Sequence, residues 1–216
     1  VEREQWDAGK ATVRKALELG INFFDTAQAY GFGLAERLLG EALQPELRSQ
    51  RDQILLATKG GLRMDRSTLL RDASARWLRQ GVEQSLRNLG VDYIDLYQVH
   101  WPDPNTPIEE TASALDALVQ EGKIRYVGVS NYNVEQMRAF ERTRRLDALQ
   151  PAYSLFRRDI EREVLPYCQQ QGIGVLVYGP LAHGLLGGSF TPQTTFAPDD
   201  WRSKSKDFHG EHFQRN

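Results

Sequence analysis

Six short, almost continuously apolar runs recur along this 216-residue chain, the first five each followed by a segment with helical spacing. That alternation is the strongest constraint on the fold. The runs fall at 21–24, 53–58, 93–99, 124–129, 148–150 and 173–178. Strands that are apolar on both faces belong to a parallel sheet covered by helices. An open, doubly wound sheet would carry a Gly-rich phosphate turn after a strand, and no G-x-G-x-x-G occurs here. Polar residues close nearly every run: Asp25 after the first, then Lys59, His100 and Ser130–Asn131. A barrel presents its chemistry in this way, at the carboxyl ends of its strands. The expected fold is therefore α/β, a (β/α)8 TIM barrel in one domain spanning 1–216. About six of its eight strand–helix units are present, and it is incomplete at both ends.

Helical periodicity predicts helices over 1–19, 34–43, about 74–89, 106–121, 134–143 and 160–171. Gly20, Gly90 and Gly122 serve as stops. Asp72 or Ser74 is expected to cap the third helix. Thr106 is expected to cap the fourth, with Pro107 in its first turn. Pro45 is placed beyond the second helix, and Pro166 is expected to bend the last. From Gly179 to Asn216 the chain reads as loop.

Composition narrows the function classes. The net charge of −2 carries no basic excess for nucleic acid. The longest apolar runs are strand-length, so no membrane span is expected, and no targeting signature opens the chain. The lone cysteine, Cys168, permits no disulfide or Cys-based metal site and reads as a small buried side chain. These features fit a cytoplasmic protein.

Four side chains at or just after strand ends form a chemically coherent set: Asp25, Tyr30, Lys59 and His100. Singly, they read as a turn cap, a rim aromatic, a loop lysine and a satisfied histidine. Together they are one acid, one phenol, one ammonium and one imidazole. An ammonium beside a phenol favours the phenolate and makes the phenol a better proton donor. An aspartate paired with that lysine holds it in place. A neutral imidazole can orient a carbonyl oxygen toward the phenol. Such a set protonates an oxygen as hydride reaches the adjacent carbon.

The sequence resembles the aldo-keto reductases, in their bacterial and potassium-channel β-subunit-like branch. The resemblance rests on GINFFDTA at 20–27 with Tyr30–Gly31, ATK at 57–59 and LRNLGVDYIDLYQVHWP at 86–102. It continues through GKIRYVGVSNY at 122–132, LQPAYS at 149–154 and VYGPLAHGLLGG at 177–188. It implies an NADPH-dependent oxidoreductase acting on CH–OH groups, which reduces aldehydes or ketones to alcohols. Tyr30 would be the general acid, tuned by Lys59 and Asp25, with His100 orienting the carbonyl. Ser130, Asn131 and Gln150 would bond the nicotinamide carboxamide, and Tyr178 would stack under the ring. Gly179, Pro180, Leu181, Ala182 and Gly184 would wrap the pyrophosphate, with Arg202 as a charge partner. Tyr30, Trp101, His100 and Phe32 would wall the substrate.

Against the family pattern, a strand before the first helix and a final strand and helix are missing. The segment that grips the adenosine 2′-phosphate goes with them, so NADP over NAD rests on resemblance alone. Gly179 stands where the family often has serine. The alternative on the same scaffold is a non-turnover NADP-binding regulatory or interaction protein. The expected partner is a small-molecule carbonyl substrate, with no nucleic acid, membrane or metal.

Overall fold

The computed structural model describes residues 3–66 and 68–215. Val1, Glu2 and Asn216, which fall within the expected first helix and last loop, lie outside the described residues. The chain divides into two compact units. The first holds 1–151 and 161–176, and the second holds 152–160 and 177–216.

Six parallel strands form the sheet of the first unit: β1 (Phe23–Asp25), β2 (Leu55–Gly60), β5 (Ile94–Val99), β6 (Ile124–Ser130), β7 (Ala148–Gln150) and β8 (Gly174–Val175). Their order in space is their order in the chain. A doubly wound sheet reverses direction at a switch point, whereas a barrel adds each new strand beside the last. The sheet curls as a barrel wall does, in agreement with the expected fold. Each strand matches an expected apolar run, although β8 is shorter than 173–178.

The register sorts the side chains. Paired residues share a face: Lys59 lies opposite Gln98, Gln98 opposite Gly128, and Ser130 opposite Gln150. These line the concave side, which carries the chemistry. The alternate residues Phe24, Leu56, Tyr97, Val99, Val127, Val129 and Leu149 are buried under the helices. There they meet Leu39 and Leu43 of α2 (Leu34–Ser49), Leu78 and Val82 of α3 (Ala75–Leu89), and Leu115 and Leu118 of α4 (Ile108–Gln120). Met137 and Phe140 of α5 (Val134–Glu141), with Tyr167 and Cys168 of α6 (Val164–Gln171), complete this layer. Each fully buried side chain of this size contributes about 1.5–3 kcal/mol. Cys168 is buried as expected, and burial raises its thiol pKa.

Several boundaries differ from the sequence reading. Pro45 lies inside α2, not beyond it. It supplies no N–H to the preceding turn, but the Arg14 guanidinium, on α1 (Arg3–Glu18), donates to the Ala42 carbonyl at 3.3 Å and to Glu46 at 2.5 Å. That outside partner keeps the last turn in place. Thr106 caps nothing. Its hydroxyl donates to Asp103 at 2.7 Å, and Pro107 occupies the cap position of α4. Ser74, one of the two expected caps, accepts from the Trp77 N–H. Pro166 falls in the first turn of α6, where its missing N–H costs little. An unforeseen antiparallel hairpin, β3 (Leu62–Asp65) and β4 (Thr68–Arg71), follows β2.

In the second unit, the expected loop contains short 3-10 turns at Ala182–Gly187, Trp201–Lys204 and Lys206–Phe208. A final helix, α7 (Gly210–Arg215), follows. Phe190, Phe196 and Phe208 pack edge to face here, with Phe213 against them, and the ring centroids lie 5.3–6.4 Å apart.

Candidate active site

The loop after β1 is stitched to β2. The Thr26 N–H donates to the Ala57 carbonyl and the Gln28 N–H to the Lys59 carbonyl, both at 2.9 Å. The chain then turns through Gly31, Phe32 and Gly33, all with positive φ. For Phe32, at φ 51°, this is a strained conformation. The turn delivers the chain into α2 and leaves Tyr30 beside the end of β2.

Lys59 is almost wholly buried. Its Nζ donates to Asp25 Oδ2 at 2.6 Å and to the Thr26 carbonyl at 2.9 Å. The same ammonium lies 5.4 Å from the centroid of the Tyr30 ring. Tyr30 meets His100 edge to face, with centroids 5.9 Å apart. The four residues singled out from the sequence therefore come together at the carboxyl ends of β1, β2 and β5.

Burial controls the electrostatics. It lowers the Lys59 pKa from the ordinary lysine value and outweighs the opposing pull of Asp25. Burial also lowers the His100 pKa to about 4, and the neighbouring Lys59 charge adds to the effect. The imidazole is therefore neutral at pH 7, with one N–H left to donate.

Two features set the rim. The His100 N–H donates to the Gly60 carbonyl at 2.9 Å, which continues the β2–β5 pairing. The following loop is tied down by Asp103, whose carboxylate accepts from the Ala73 N–H, the Asn105 N–H and the Thr106 hydroxyl. Burial alone would raise the Asp103 pKa, but these bonds lower it overall. Trp101 sits on this loop. The Arg71 guanidinium of β4 lies 5.0 Å from its ring centroid and donates to the Pro102 carbonyl. Arg71 was not foreseen, because the hairpin that carries it was not. Phe32 is mostly exposed and Tyr30 about half exposed, as wall residues would be.

At the end of β6, the Ser130 hydroxyl donates to the Gln150 carbonyl at 2.8 Å. Asn131 takes a left-handed backbone, φ 64°. Its amide donates to Ser130 Oγ at 2.9 Å and to the His100 carbonyl at 3.2 Å. Ser130, Asn131 and Gln150 thus form one patch of polar groups that reaches the His100 strand end. Asparagine tolerates this conformation better than most residues.

The second unit is described separately. Tyr178, Gly179 and Ala182 line a cavity of about 310 Å³ together with Tyr153, His183, Lys206 and His212. The loop turns sharply. Gly179, Ala182, His183 and Gly184 all have positive φ. Consecutive left-handed non-glycine residues are costly and cluster at ligand clamps. Gly184 packs against Phe190, where an added Cβ would come within 2.8 Å of the ring. Pro180 lies in the same turn and Leu181 is exposed. Arg202 forms a bidentate pair with Asp200 and stacks over Phe196, 4.8 Å from its ring centroid. Its charge is thus neutralised locally, which weakens the expectation that it serves a phosphate. Among the described residues, no group of three or more His, Cys, Asp or Glu is placed to hold a metal ion. No described helix is long and apolar enough to cross a membrane.

Sequence reading missed two further polar residues. Glu36, fully buried, accepts from the Thr58 hydroxyl at 2.7 Å and from the Asn88 amide at 2.8 Å, behind the β2 strand. Gln98, also fully buried, donates to Asp25 Oδ1 at 3.2 Å. Glu36 looks like an ordinary first-turn acid, and Gln98 is lost in an apolar run. A polar residue at a strictly inward strand position was the available signal for Gln98.

Comparison with known proteins agrees with this geometry. The family model described as the aldo/keto reductase family matches residues 5–216. The chain is 46% identical over 203 residues to the aldo-keto reductase YhdN of Bacillus subtilis, covering 94% of this chain and 61% of that protein. It superposes on the glycerol dehydrogenase AKR11B4 of Gluconobacter oxydans with a TM-score of 0.90 and 43% identity, covering 97% of this chain and 64% of that one. An aldo/keto reductase of Klebsiella pneumoniae, solved in complex with NADP and acetate, matches with a TM-score of 0.73 and 35% identity, over 85% of this chain and 61% of that one. The chain spans about three-fifths of the length of these relatives. It belongs to the aldo/keto reductase family.

Proposed function

We propose that this chain carries the carbonyl-reducing site of an NADPH-dependent oxidoreductase that converts an aldehyde or ketone to an alcohol. The observation that carries this reading is the juxtaposition of Tyr30 with a buried Lys59, itself paired with Asp25, and a neutral His100. The nucleotide, when bound, supplies the hydride. The residues present suit such a group in the chemistry of their donors. Ser130, Asn131 and Gln150 offer hydroxyl and amide groups for a carboxamide. Tyr178 offers a ring face. The turn from Gly179 through Gly184 offers a tightly curved backbone for a pyrophosphate.

His100 donates a hydrogen bond to the substrate carbonyl oxygen and turns it toward Tyr30. Tyr30 gives its phenolic proton to that oxygen as the oxygen gains negative charge. Lys59 stabilises the phenolate left behind, and Asp25 holds Lys59 in place while it does so. Tyr30, Phe32 and Trp101 provide an apolar wall that excludes water. NADP over NAD follows the NADP bound to the Klebsiella relative.

The test begins with a titration of the chain with NADPH, and with NADH alongside, following nucleotide fluorescence. A panel of simple aldehydes follows, with the chain and with Tyr30→Phe. Saturable binding is expected, with turnover that falls by roughly 10²–10⁴ in the variant, the usual worth of a general acid. The nucleotide Kd should stay within about twofold. An equal loss of binding and turnover would remove Tyr30 from the acid's role. Tight nucleotide binding with no turnover of any carbonyl would instead favour a regulatory nucleotide-binding protein.

A further inference from the structure

Gln98 is fully buried on the concave face of β5, between Leu96 and His100. Its Nε2 donates to Asp25 Oδ1 at 3.2 Å, while Asp25 Oδ2 takes the Lys59 ammonium at 2.6 Å. Its Oε1 is buried and has no hydrogen-bond partner among the described residues. On the neighbouring strand, Gly128 leaves space for it. A Cβ at Gly128 would lie 2.9 Å from Gln98 Cγ and 3.1 Å from the Ala148 carbonyl oxygen.

An amide in this position is a poor choice for stability. A leucine of similar size would bury no unsatisfied carbonyl and would pack against Leu96. A site that retains a costly polar group is one where that group serves something else. Among the described residues, the only hydrogen bond the amide makes is to Asp25. That carboxylate is about 30% exposed and would otherwise rotate freely about the ammonium. With one oxygen on Lys59 and the other on Gln98, its plane is fixed.

We propose that Gln98 is a positioning residue of the reductase site. It holds the Asp25 carboxylate, and through it the Lys59 ammonium, at the angle that Tyr30 requires. The inference rests on the reductase reading for its rate effect, but not for its structural part. Gln98→Leu in the chain, without nucleotide, is expected to melt at or above the wild-type temperature. Carbon NMR at pH 7 should show the Asp25 carboxyl signal moved from its wild-type position, the mark of one lost hydrogen bond to that group. Where the wild type reduces an aldehyde, the variant should do so about 10- to 100-fold more slowly, with an unchanged nucleotide Kd.

A folded Gln98→Leu with an unmoved Asp25 carboxyl signal, or with wild-type turnover, overturns the proposal, as does a lower melting temperature. Gln98→Glu provides a second route. It puts a group of the same reach but without an N–H donor against Asp25, so the Asp25 signal should move and turnover should fall at least as far as in Gln98→Leu. An Asp25 signal left at its wild-type position in that variant would also overturn it. A moved Asp25 signal in a chain that turns over no carbonyl would keep the positioning role and sink the reductase reading instead.

Discussion

The His100 imidazole makes a sharp prediction about acid stability. Its pKa is held at about 4, against 6.5 for an ordinary histidine, first by burial and second by the Lys59 charge. Below pH 6.5 the unfolded chain binds a proton at this ring and the folded chain does not. Stability from this group is therefore complete above 6.5 and is lost as pH falls toward about 4. At about 1.4 kcal/mol per tenfold difference in proton affinity, the loss would reach about 3 kcal/mol, and solvent reaching part of the ring brings it nearer 2. Replacing His100 with glutamine removes the titrating group. Urea unfolding of both proteins at steps between pH 7.5 and 4 should show the wild type losing about 2–3 kcal/mol more than the variant toward the acid end. Proton NMR of the ring in the folded wild type should find a midpoint near 4. Parallel stability curves, or a midpoint at 6 or above, would refute both the burial argument and the claim that this ring is neutral when it meets a carbonyl.

Two other substitutions probe the frame of the site. Gly60→Ala would put a methyl group 1.8 Å from the Tyr97 hydroxyl oxygen. It should cost about 2–4 kcal/mol in denaturant unfolding, and Tyr97→Phe in the same chain should recover part of that loss. No recovery would mean that the clash lies elsewhere. Asn131→Gly keeps the left-handed backbone but removes the amide that reaches Ser130 and His100. Nucleotide affinity by fluorescence titration should fall by about 1–3 kcal/mol with folding retained, and unchanged affinity would take Asn131 out of the site.

The strand ends were legible because a barrel leaves little choice there. An apolar run that closes on Asp25, Lys59 or His100 places that group at the mouth, and the register then brings the three together. Ser130 and Asn131 followed for the same reason, whereas Gln150 came only through the family resemblance. What sequence could not show was decided by contacts distant in the chain. Pro45 reads as a helix stop, yet α2 continues because Arg14 and the buried Leu47 hold its last turn. Thr106 has the look of a cap, but Asp103 claims its hydroxyl. The hairpin at β3 and β4 gave no turn signal, since Arg66 takes the positive φ where glycine or asparagine would be expected. Arg202 reads as a free charge from sequence alone, but Asp200, two residues earlier, engages it.

Strand β2 ties the candidate site to correct assembly. Lys59 points toward Asp25, and its neighbour Thr58 points the other way, to the buried Glu36. A strand shifted by one position would reverse both, placing an ammonium in the helix layer and a hydroxyl at the mouth. That single slip breaks both hydrogen bonds at once. Misassembled molecules should therefore be unstable, and the chains that survive refolding should share one arrangement of the Lys59–Asp25 pair.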